Sequence, residues 1–214
     1  MDTGKISKRF NSIQVIPGNG YSPYTGCLVF YCHDTILDKD VTVKSSDGIK
    51  NKHKTVKEEY EFVKGLNHYC VIKALDYYEE DDVQYMVMAG QYGGGRRERW
   101  RKIFSQFNEN MARIFLKAMM DGLFYMQENN VLHEDIECAN MVYNEFSVAP
   151  IFIDFGRAQH KEYTKEWLFD QLKTDKITKQ NAFFREITNT GGVYVTEPPH
   201  FKFDIKPIIR EILK

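Results

Sequence analysis

The spacing of apolar residues divides the chain into a strand-rich first part and a helix-rich second part. Phe10–Val43 is predicted to be β-structure: apolar and polar residues alternate in Ile13–Ile16, Cys27–Tyr31 is a second apolar strand, and turns containing Gly and Pro lie between them. This pattern is typical of half-buried β-strands. The next strands are predicted at Val71–Ile72 and Val83–Met88, around the acidic turn Glu79–Asp82. The first part is therefore expected to form an antiparallel sheet.

Helical spacing of apolar residues marks the rest of the chain and one segment of the first part. The predicted helices are Thr55–Lys64, which Gly65 ends, Asn110–Asn129, Thr164–Leu172, Thr178–Ile187 and a short one that begins at Pro207. In the longest of them the Met residues occupy core positions, where their flexible side chains fill the interior. The second part is therefore expected to be mostly helical.

One acidic residue lies on the apolar stripe of the first predicted helix. Glu59 follows Val56 by three residues and precedes Val63 by four, so it shares their buried side. A buried carboxylate requires a cationic partner. Lys44 is the expected partner, because it alternates away from the apolar side of the strand Asp40–Lys44. The alternatives are an exposed glutamate at the helix edge and a solvated lysine at a strand end.

Composition narrows the class of protein. Hydrophobic residues make up 43% of the chain and charged residues 28%, as is typical of a globular protein. The length of 214 residues allows one large domain or two small ones. A net charge of −1 gives no electrostatic basis for binding nucleic acid or a membrane, and no apolar run is long enough to cross a bilayer. The cysteines lack C-x-x-C or metal-ligand spacing, which favours a reduced, intracellular and cytoplasmic protein. They are Cys27, Cys32, Cys70 and Cys138.

A dense charge cluster occurs at Arg96–Lys102, with the sequence RRERWRK. It could recognise an acidic substrate or a phosphorylated partner. Runs of this kind are more often the solvated face of a helix. Both interpretations stay open from the sequence.

Four polar residues stand at defined spacing within Val131–Ala158: His133, Asp135, Asn140 and Asp154. Two short apolar segments separated by a polar turn follow Asn140 and predict a β-hairpin. Such a hairpin places the loop carboxylate, the loop amide and the second carboxylate at the same end. One carboxylate can accept a proton from an attacking hydroxyl, while an amide oxygen and the other carboxylate suit Mg²⁺. The alternative is a polar hairpin with an Asx-rich turn.

This constellation, H-x-D-x-x-x-x-N followed by D-F-G, resembles the catalytic loop and the metal-binding triplet of the protein kinases. The resemblance extends over about Phe10–Ala158 in the same order. It implies an α+β, bilobal protein-kinase-like fold. Residues 1–90 would be a nucleotide-binding lobe with an antiparallel sheet and one helix, and residues 91–214 a reduced, mostly helical lobe with the catalytic loop.

The resemblance also implies roles for the polar residues. Asp135 would orient or deprotonate the acceptor hydroxyl, and Asn140 and Asp154 would hold Mg²⁺. Lys44, paired with Glu59, would contact the phosphates of ATP. His133 is expected to order the loop rather than to do chemistry.

Further residues are implied in binding the nucleotide. The candidates for covering the phosphates are Gly18, Gly20 and Gly26, with Gly26 displaced as if three residues were inserted. Met88 would lie at the back of the adenine pocket. Ala89 and Gln91 would belong to the hinge, with backbone groups available to the base, before Gly93–Gly95 frees the chain.

Three departures from the family pattern qualify the expected function. Glu134 replaces an Arg that many protein kinases use to bind a phosphorylated loop, and Glu137 replaces the catalytic-loop Lys of serine/threonine kinases. No clear A-P-E occurs within Thr190–Pro199. The expected activity is ATP- and Mg²⁺-dependent phosphoryl transfer to a hydroxyl, with Ser or Thr of a protein substrate as acceptor. A small-molecule kinase and a catalytically inactive mimic remain alternatives, and the oligomeric state stays open.

Overall fold

The computed structural model describes residues 7–16, 21–22, 27–46, 55–90, 93–94, 97–144, 146–173 and 205–212. The chain forms two compact units. The first comprises Met1–Asn67 and Ile72–Gln91, and the second comprises His68–Val71 and Tyr92–Lys214. A short segment between two elements of the first unit thus belongs to the second.

The first unit is built on an antiparallel sheet. Its strands are β1 (Phe10–Val15), β2 (Tyr21–Ser22), β3 (Cys27–Asp34), β4 (Lys39–Ser46), β5 (Ala74–Glu80) and β6 (Val83–Ala89). The spatial order is β1-β3-β4-β6-β5, and β2 pairs with β3. Because β3 and β4 pair without a register shift along their whole length, they form the regular centre of the sheet.

Strand β4 has one face in the core and one face turned to polar partners. Val41 and Val43 are fully buried among the apolar side chains of β1, β3 and β6. Thr42 and Lys44 project from the other face: the Thr42 hydroxyl donates to the carbonyl of Gly90 over 2.6 Å, and Lys44 meets an acidic side chain described below. The predicted alternation along this strand is confirmed.

Helix α1 (Val56–Val63) begins with a capping box. The Thr55 hydroxyl accepts a hydrogen bond from the Glu58 N–H, and the Glu58 carboxylate accepts one from the Thr55 N–H. This reciprocal arrangement satisfies backbone donors that the first helical turn leaves unpaired. The buried residues of the helix are Val56, Glu59 and Val63, so the stripe predicted from the sequence is confirmed, including its acidic member.

The strand predicted at Val71–Ile72 is wrong. Strand β5 begins at Ala74, and Val71 makes an isolated bridge with Phe152 of the second unit. The Phe152 N–H also donates to the Cys70 carbonyl over 2.8 Å. This contact between residues distant in sequence draws the segment away from the sheet, which local alternation cannot reveal.

The acidic turn between β5 and β6 forms as expected. Asp81 and Asp82 have φ angles of 52° and 63°, the left-handed conformation required at both central positions of a type I′ hairpin turn. Aspartate tolerates this conformation better than most residues other than glycine. The turn therefore fixes the pairing of β5 with β6.

The second unit combines helices with two small sheets. Its helices are α2 (Arg97–Gln106), α3 (Glu109–Glu128), α4 (Lys165–Lys173) and α5 (Lys206–Ile212). Its strands are β7 (Gly93–Gly94), β8 (Val131–Leu132), β9 (Met141–Asn144), β10 (Ala149–Phe152) and β11 (Gln159–His160). One sheet has the order β10-β9-β7, and the other pairs β11 with β8.

Helix α3 forms the centre of the second unit. Its cap is Asn108, whose side chain accepts from the Met111 N–H over 2.9 Å. Its buried face is Ala112, Phe115, Leu116, Ala118, Met119, Met120, Gly122, Leu123 and Met126. A Cβ at Gly122 would lie 2.8 Å from atoms of Cys70 and of Phe152, so the helix approaches β10 closely. The predicted helix and its methionine-rich core are confirmed.

The outcome of the remaining predictions is mixed. The helices expected at Thr164–Leu172 and from Pro207 form as α4 and α5. Gly93–Gly94 was expected to be an unpaired segment, but it pairs with β9 and forms the edge of that sheet. The predicted helix at Thr178–Ile187 and the segment Thr190–Pro199 lie outside the described residues. Among the helices that the structure describes, none is long and apolar enough to span a membrane.

Candidate active site

The first unit contains a short ion pair between a strand and a helix. The Lys44 ammonium lies 2.5 Å from Glu59 Oε2, and the two side chains are 14% and 3% exposed. Strand β4 supplies the lysine from its polar face and α1 supplies the glutamate from its buried stripe. The predicted pair is confirmed. It compensates a carboxylate that would otherwise be buried at a high energetic cost.

In the second unit, Asn140 closes the loop that carries Asp135. Its side-chain amide donates to the Asp135 carbonyl over 2.9 Å, and its N–H donates to the Glu137 carbonyl over 3.0 Å. Its own carbonyl accepts from the Ile153 N–H over 3.0 Å. Because the amide nitrogen is used within the loop, the amide oxygen is the atom that Asn140 can offer to a cation.

The hairpin of β9 and β10 brings Asn140 and Asp154 to the same end. Met141 pairs with Phe152 at that end, and the next residues outward, Asn140 and Ile153, are joined by a hydrogen bond from the Ile153 N–H to the Asn140 carbonyl. Asp154 follows Ile153 directly and so leaves the hairpin at the same end as Asn140. Asp154 is exposed and has φ 60° and ψ 72°, a left-handed conformation that turns the chain sharply after the strand. The hairpin and the shared end, both predicted from the sequence, are confirmed.

These two residues fit a magnesium ion as its protein ligands. An amide oxygen and a carboxylate are hard oxygen donors, and Mg²⁺ in phosphate-transferring sites takes one or two carboxylates and completes its shell with water and phosphate. Among the described residues, no group of three or more His, Cys, Asp or Glu side chains could hold a metal ion. The donor set therefore suits a metal that arrives with phosphate.

His133 fixes the loop to the strand that precedes Asp154. It is buried, its Nε2 lies 3.1 Å from the Ile153 carbonyl, and its ring packs against Phe155 with 4.6 Å between centroids. Burial lowers the pKa of His133 below its ordinary value, so the imidazole is neutral near pH 7 and Nε2 carries the proton that Ile153 accepts. These contacts support the structural role expected for this residue.

The Asp135 carboxylate is partly exposed at the surface of this loop. Its side chain is 22% exposed, and Oδ2 lies 3.4 Å from the Nε of Arg157, which is 34% exposed. A carboxylate held on an ordered loop and still accessible can meet the hydroxyl of an acceptor. Arg157 was not singled out in the sequence, although it directly follows the D-F-G triplet.

Comparison with known proteins agrees with this arrangement. The family model described as protein kinase domain matches residues 25–181. This chain belongs to the protein kinase family. Its α+β architecture, with an antiparallel sheet in the first unit and helices in the second, is the one that the sequence predicted.

Similar curated proteins are also kinases by name. Calcium-dependent protein kinase 4 of Plasmodium berghei (strain Anka) is 30% identical over 62% of this chain and 28% of its own length. Calcium-dependent protein kinase 4 of Plasmodium falciparum (isolate 3D7) is 34% identical over 54% and 23%. Serine/threonine-protein kinase PLK4 of Aedes aegypti is 28% identical over 56% and 15%. The matched region thus spans less than a third of these relatives.

Trp100 is a contributor to this protein kinase domain that sequence reasoning missed. It lies inside the charge cluster Arg96–Lys102, yet it is fully buried in α2. Its indole N–H donates to the Cys138 carbonyl over 2.7 Å, two residues before Asn140, and its ring stacks on Phe104. The large aromatic residue amid charges was the available indication. The cluster thus contains a buried residue that holds the loop between Asp135 and Asn140.

The residues predicted to bind the base or to cover the phosphates of the nucleotide are only partly described. Met88 is buried in β6, opposite Thr42. The Ala89 N–H donates to the Lys73 carbonyl over 2.9 Å, so this donor is already used. The remaining candidates lie outside the described residues and stay predictions; they are Gly18, Gly20, Gly26 and Gln91.

Proposed function

We propose that this member of the protein kinase family transfers the γ-phosphoryl group of ATP to a hydroxyl, with Ser or Thr of a protein as the acceptor. The observation that carries the proposal is the accessible Asp135 carboxylate on a loop closed by Asn140. A base on an ordered loop serves a reaction in which positioning supplies most of the rate enhancement.

Each candidate residue has one part in the proposed reaction. The acceptor oxygen forms a bond to the γ-phosphorus, the bond from phosphorus to the β–γ bridging oxygen breaks, and ADP leaves. Asp135 orients the hydroxyl and takes its proton. Lys44, held by Glu59, contacts the phosphates. Asn140 and Asp154 would hold Mg²⁺, which neutralises phosphate charge.

The names of the relatives support the choice of acceptor. One of them is a serine/threonine-protein kinase by its printed name, and the others are calcium-dependent protein kinases. We extend the serine/threonine specificity to this chain as part of the proposal. We further propose that residues 1–90 act as the nucleotide-binding part and residues 91–214 as the part with the catalytic loop.

Transfer of labelled phosphate tests the proposal directly. Purified chain is incubated with γ-labelled ATP and Mg²⁺, in parallel with a protein mixture and with a metabolite mixture. Label is expected on Ser or Thr of proteins. Asp135→Asn keeps the shape of the side chain and removes the proton acceptor, so turnover should fall by about 10²–10⁴-fold. Label on metabolites alone would instead identify a small-molecule kinase.

Nucleotide binding provides the matching control. Mg·ATP binds only the folded chain and should raise the melting temperature of wild type and of Asp135→Asn by similar amounts. An unchanged melting temperature at millimolar ATP, with and without Mg²⁺, would reject the nucleotide site. A variant that binds ATP normally and transfers no phosphate would assign Asp135 to the chemical step.

A binding protein without transferase activity is the second candidate. It is favoured by Glu137, a partly buried acid two residues from Asp135, because a further negative charge disfavours an approaching phosphate. On this alternative, wild type transfers no phosphate to any acceptor. The Asp135→Asn variant then has the same biological effect as wild type, an outcome that contradicts the enzyme proposal.

A further inference from the structure

The catalytic segment of this chain is strongly acidic. Between Val131 and Ala158 the sole Lys or Arg is Arg157. The acids of the same segment are Glu134, Asp135, Glu137, Glu145 and Asp154. A phosphoryl group in transit carries negative charge on its oxygens, and like charges repel strongly at a partly desolvated site. The proposed reaction therefore requires positive charge close to Asp135.

Arg157 lies where such a charge is needed. Its Nε is 3.4 Å from Asp135 Oδ2. The turn that carries it, Phe155–Arg157, begins at a fully buried residue and closes with a 2.9 Å hydrogen bond from the Ala158 N–H to the Phe155 carbonyl. Ala158 is also fully buried. The backbone is thus anchored on both sides of Arg157, and its guanidinium stays next to the carboxylate.

Both side chains also reach the surface. Because Arg157 and Asp135 are each partly exposed, one ligand can contact the two at once. An ion pair between two partly exposed side chains contributes little to the stability of a fold. A guanidinium stays protonated at all ordinary pH values and presents several N–H donors in a plane, which suits phosphoryl oxygens.

We infer that Arg157 is a catalytic residue whose guanidinium contacts the phosphoryl group during transfer and balances the charge of Asp135 and Glu137. The inference rests on the proposed function. Arg157 keeps its protons throughout: the acceptor proton goes to Asp135, and the bonds that form and break are those at phosphorus. Positive charge aimed at the developing charge of a transition state acts mainly on kcat.

The test compares Arg157→Ala with wild type in the transfer assay. Loss of one donor to transition-state charge typically costs about 10²-fold or more in kcat, and that loss is expected here with little change in the KM for ATP. Arg157→Lys keeps a point charge and should recover part of the rate. The melting temperature should change little, because both side chains of the ion pair are partly exposed. Arg157→Gln replaces the alanine variant should the latter fail to fold.

A second substitution and a matched control separate local charge from general effects. Glu137→Lys, introduced into Arg157→Ala, restores a cation two residues from Asp135 and should raise kcat above that of the single variant. Lys161→Ala removes an exposed basic residue a few positions further along the chain and should leave kcat unchanged. Rescue by Glu137→Lys without an effect of Lys161→Ala is the pattern expected for a charge required at the base.

The outcomes distinguish this inference from the function on which it rests. An active wild type with an equally active or faster Arg157→Ala overturns the inference alone, since the arginine would then be neutral or would restrain Asp135. A rise only in the KM of the acceptor also overturns it, because Arg157 would then recognise the acceptor. Failure of the Glu137→Lys rescue rejects charge balance as the reason for its effect. An inactive wild type rejects the proposed function and the inference together.

Discussion

Two ion pairs of the first unit are more deeply buried and shorter than the ion pair at Asp135 in the second unit. The first unit contains two tight, buried pairs: the Arg9 guanidinium makes hydrogen bonds of 2.6–2.9 Å to the carboxylate of the fully buried Asp34, and Lys44 meets Glu59 over 2.5 Å. In the second unit, the Asp135 carboxylate is accessible and its contact with Arg157 is looser.

The difference shows two ways of holding a charged group in place. In the two buried pairs of the first unit each charge is fixed by its partner, so the same contact serves stability and any function of the pair. In the second unit the loop is fixed by groups other than the charges, namely the Asn140 amide, the Trp100 indole and the His133 imidazole. The carboxylate of Asp135 is then free to serve a reaction at little cost to the fold.

The largest effect on stability is expected at the buried pair of the first unit. Lys44→Met leaves Glu59 buried without its ammonium, and breaking such a pair costs about 3 kcal/mol or more in the free energy of unfolding. Asp135→Asn, on an accessible carboxylate, should cost less than about 1 kcal/mol. Urea denaturation of both variants measures the two losses, and equal losses would remove the contrast between the units.

The double variant Lys44→Met/Glu59→Leu sharpens this result. Replacing both partners of a buried pair by apolar residues of similar size is often neutral or stabilising, so stability should return towards that of wild type. The thermal shift with Mg·ATP should stay reduced, since the ammonium is still missing. Recovery of both properties would show that Lys44 has no part in nucleotide binding.

The next effect is expected at Trp100 in the second unit. Trp100→Phe keeps an aromatic ring but leaves the Cys138 carbonyl without its donor, which costs about 1–3 kcal/mol. Because that carbonyl lies two residues before Asn140, the Mg²⁺ concentration for half-maximal turnover should also rise. Trp167→Phe, at a partly exposed tryptophan, is the matched control. A stability loss with unchanged Mg²⁺ dependence would limit Trp100 to packing.

Acid should weaken the first unit through Asp34. Burial by itself raises the pKa of this carboxyl, but hydrogen bonds from Arg9 and from the N–H groups of Leu37 and Ile36 outweigh it and hold the pKa below its ordinary value. Stability from Asp34 is therefore complete above the unfolded pKa, about 3.9, and is lost as pH falls through the lower folded pKa.

Denaturation between pH 5 and pH 3 measures this acid dependence. Wild type should lose stability most steeply below about pH 4, where unfolded aspartate gains a proton. Asp34→Asn should be less stable at neutral pH, because Arg9 loses an ionic partner, and should show a smaller acid-dependent loss. Parallel pH profiles for the two proteins would contradict the role assigned to this carboxylate.

Removing phosphate groups that are covalently attached to the protein should not change its kcat. Glu134 is itself negative and accepts a 2.7 Å hydrogen bond from the Gln159 amide, so it cannot bind a phosphorylated loop as a basic residue would. Phosphatase-treated and untreated protein should have the same kcat in the transfer assay. A large loss after treatment would indicate that a phosphorylated residue orders the site by another contact.

Local patterns predicted the parts of the site that depend on neighbours in sequence. The place of Glu59 on an apolar stripe and of Lys44 on the polar face of its strand led to their pairing. The hairpin followed from two apolar segments around a polar turn. In these cases the period of the element decides which side a residue faces, and the partner is then limited to a few candidates.

Such patterns could not predict contacts between residues that are distant in sequence. Val71 has the composition of a strand residue, but its bridge is to Phe152. Trp100 stands in a run of charges, and nothing in that run indicates that the indole reaches the Cys138 carbonyl. Arg157 acquires significance only through its distance from Asp135, which the chain sets by folding a turn after Asp154.

The segment His68–Val71 belongs to the second unit although the chain on both sides of it belongs to the first, and this has a consequence for biosynthesis. Translation produces this segment together with the first sheet, but the Phe152 N–H that binds the Cys70 carbonyl leaves the ribosome much later. Until then Cys70 and Val71, both buried in the native protein, have no place to pack. We therefore expect a fragment that ends near Gln91 to aggregate. Polar replacements at these two positions should increase the solubility of such a fragment.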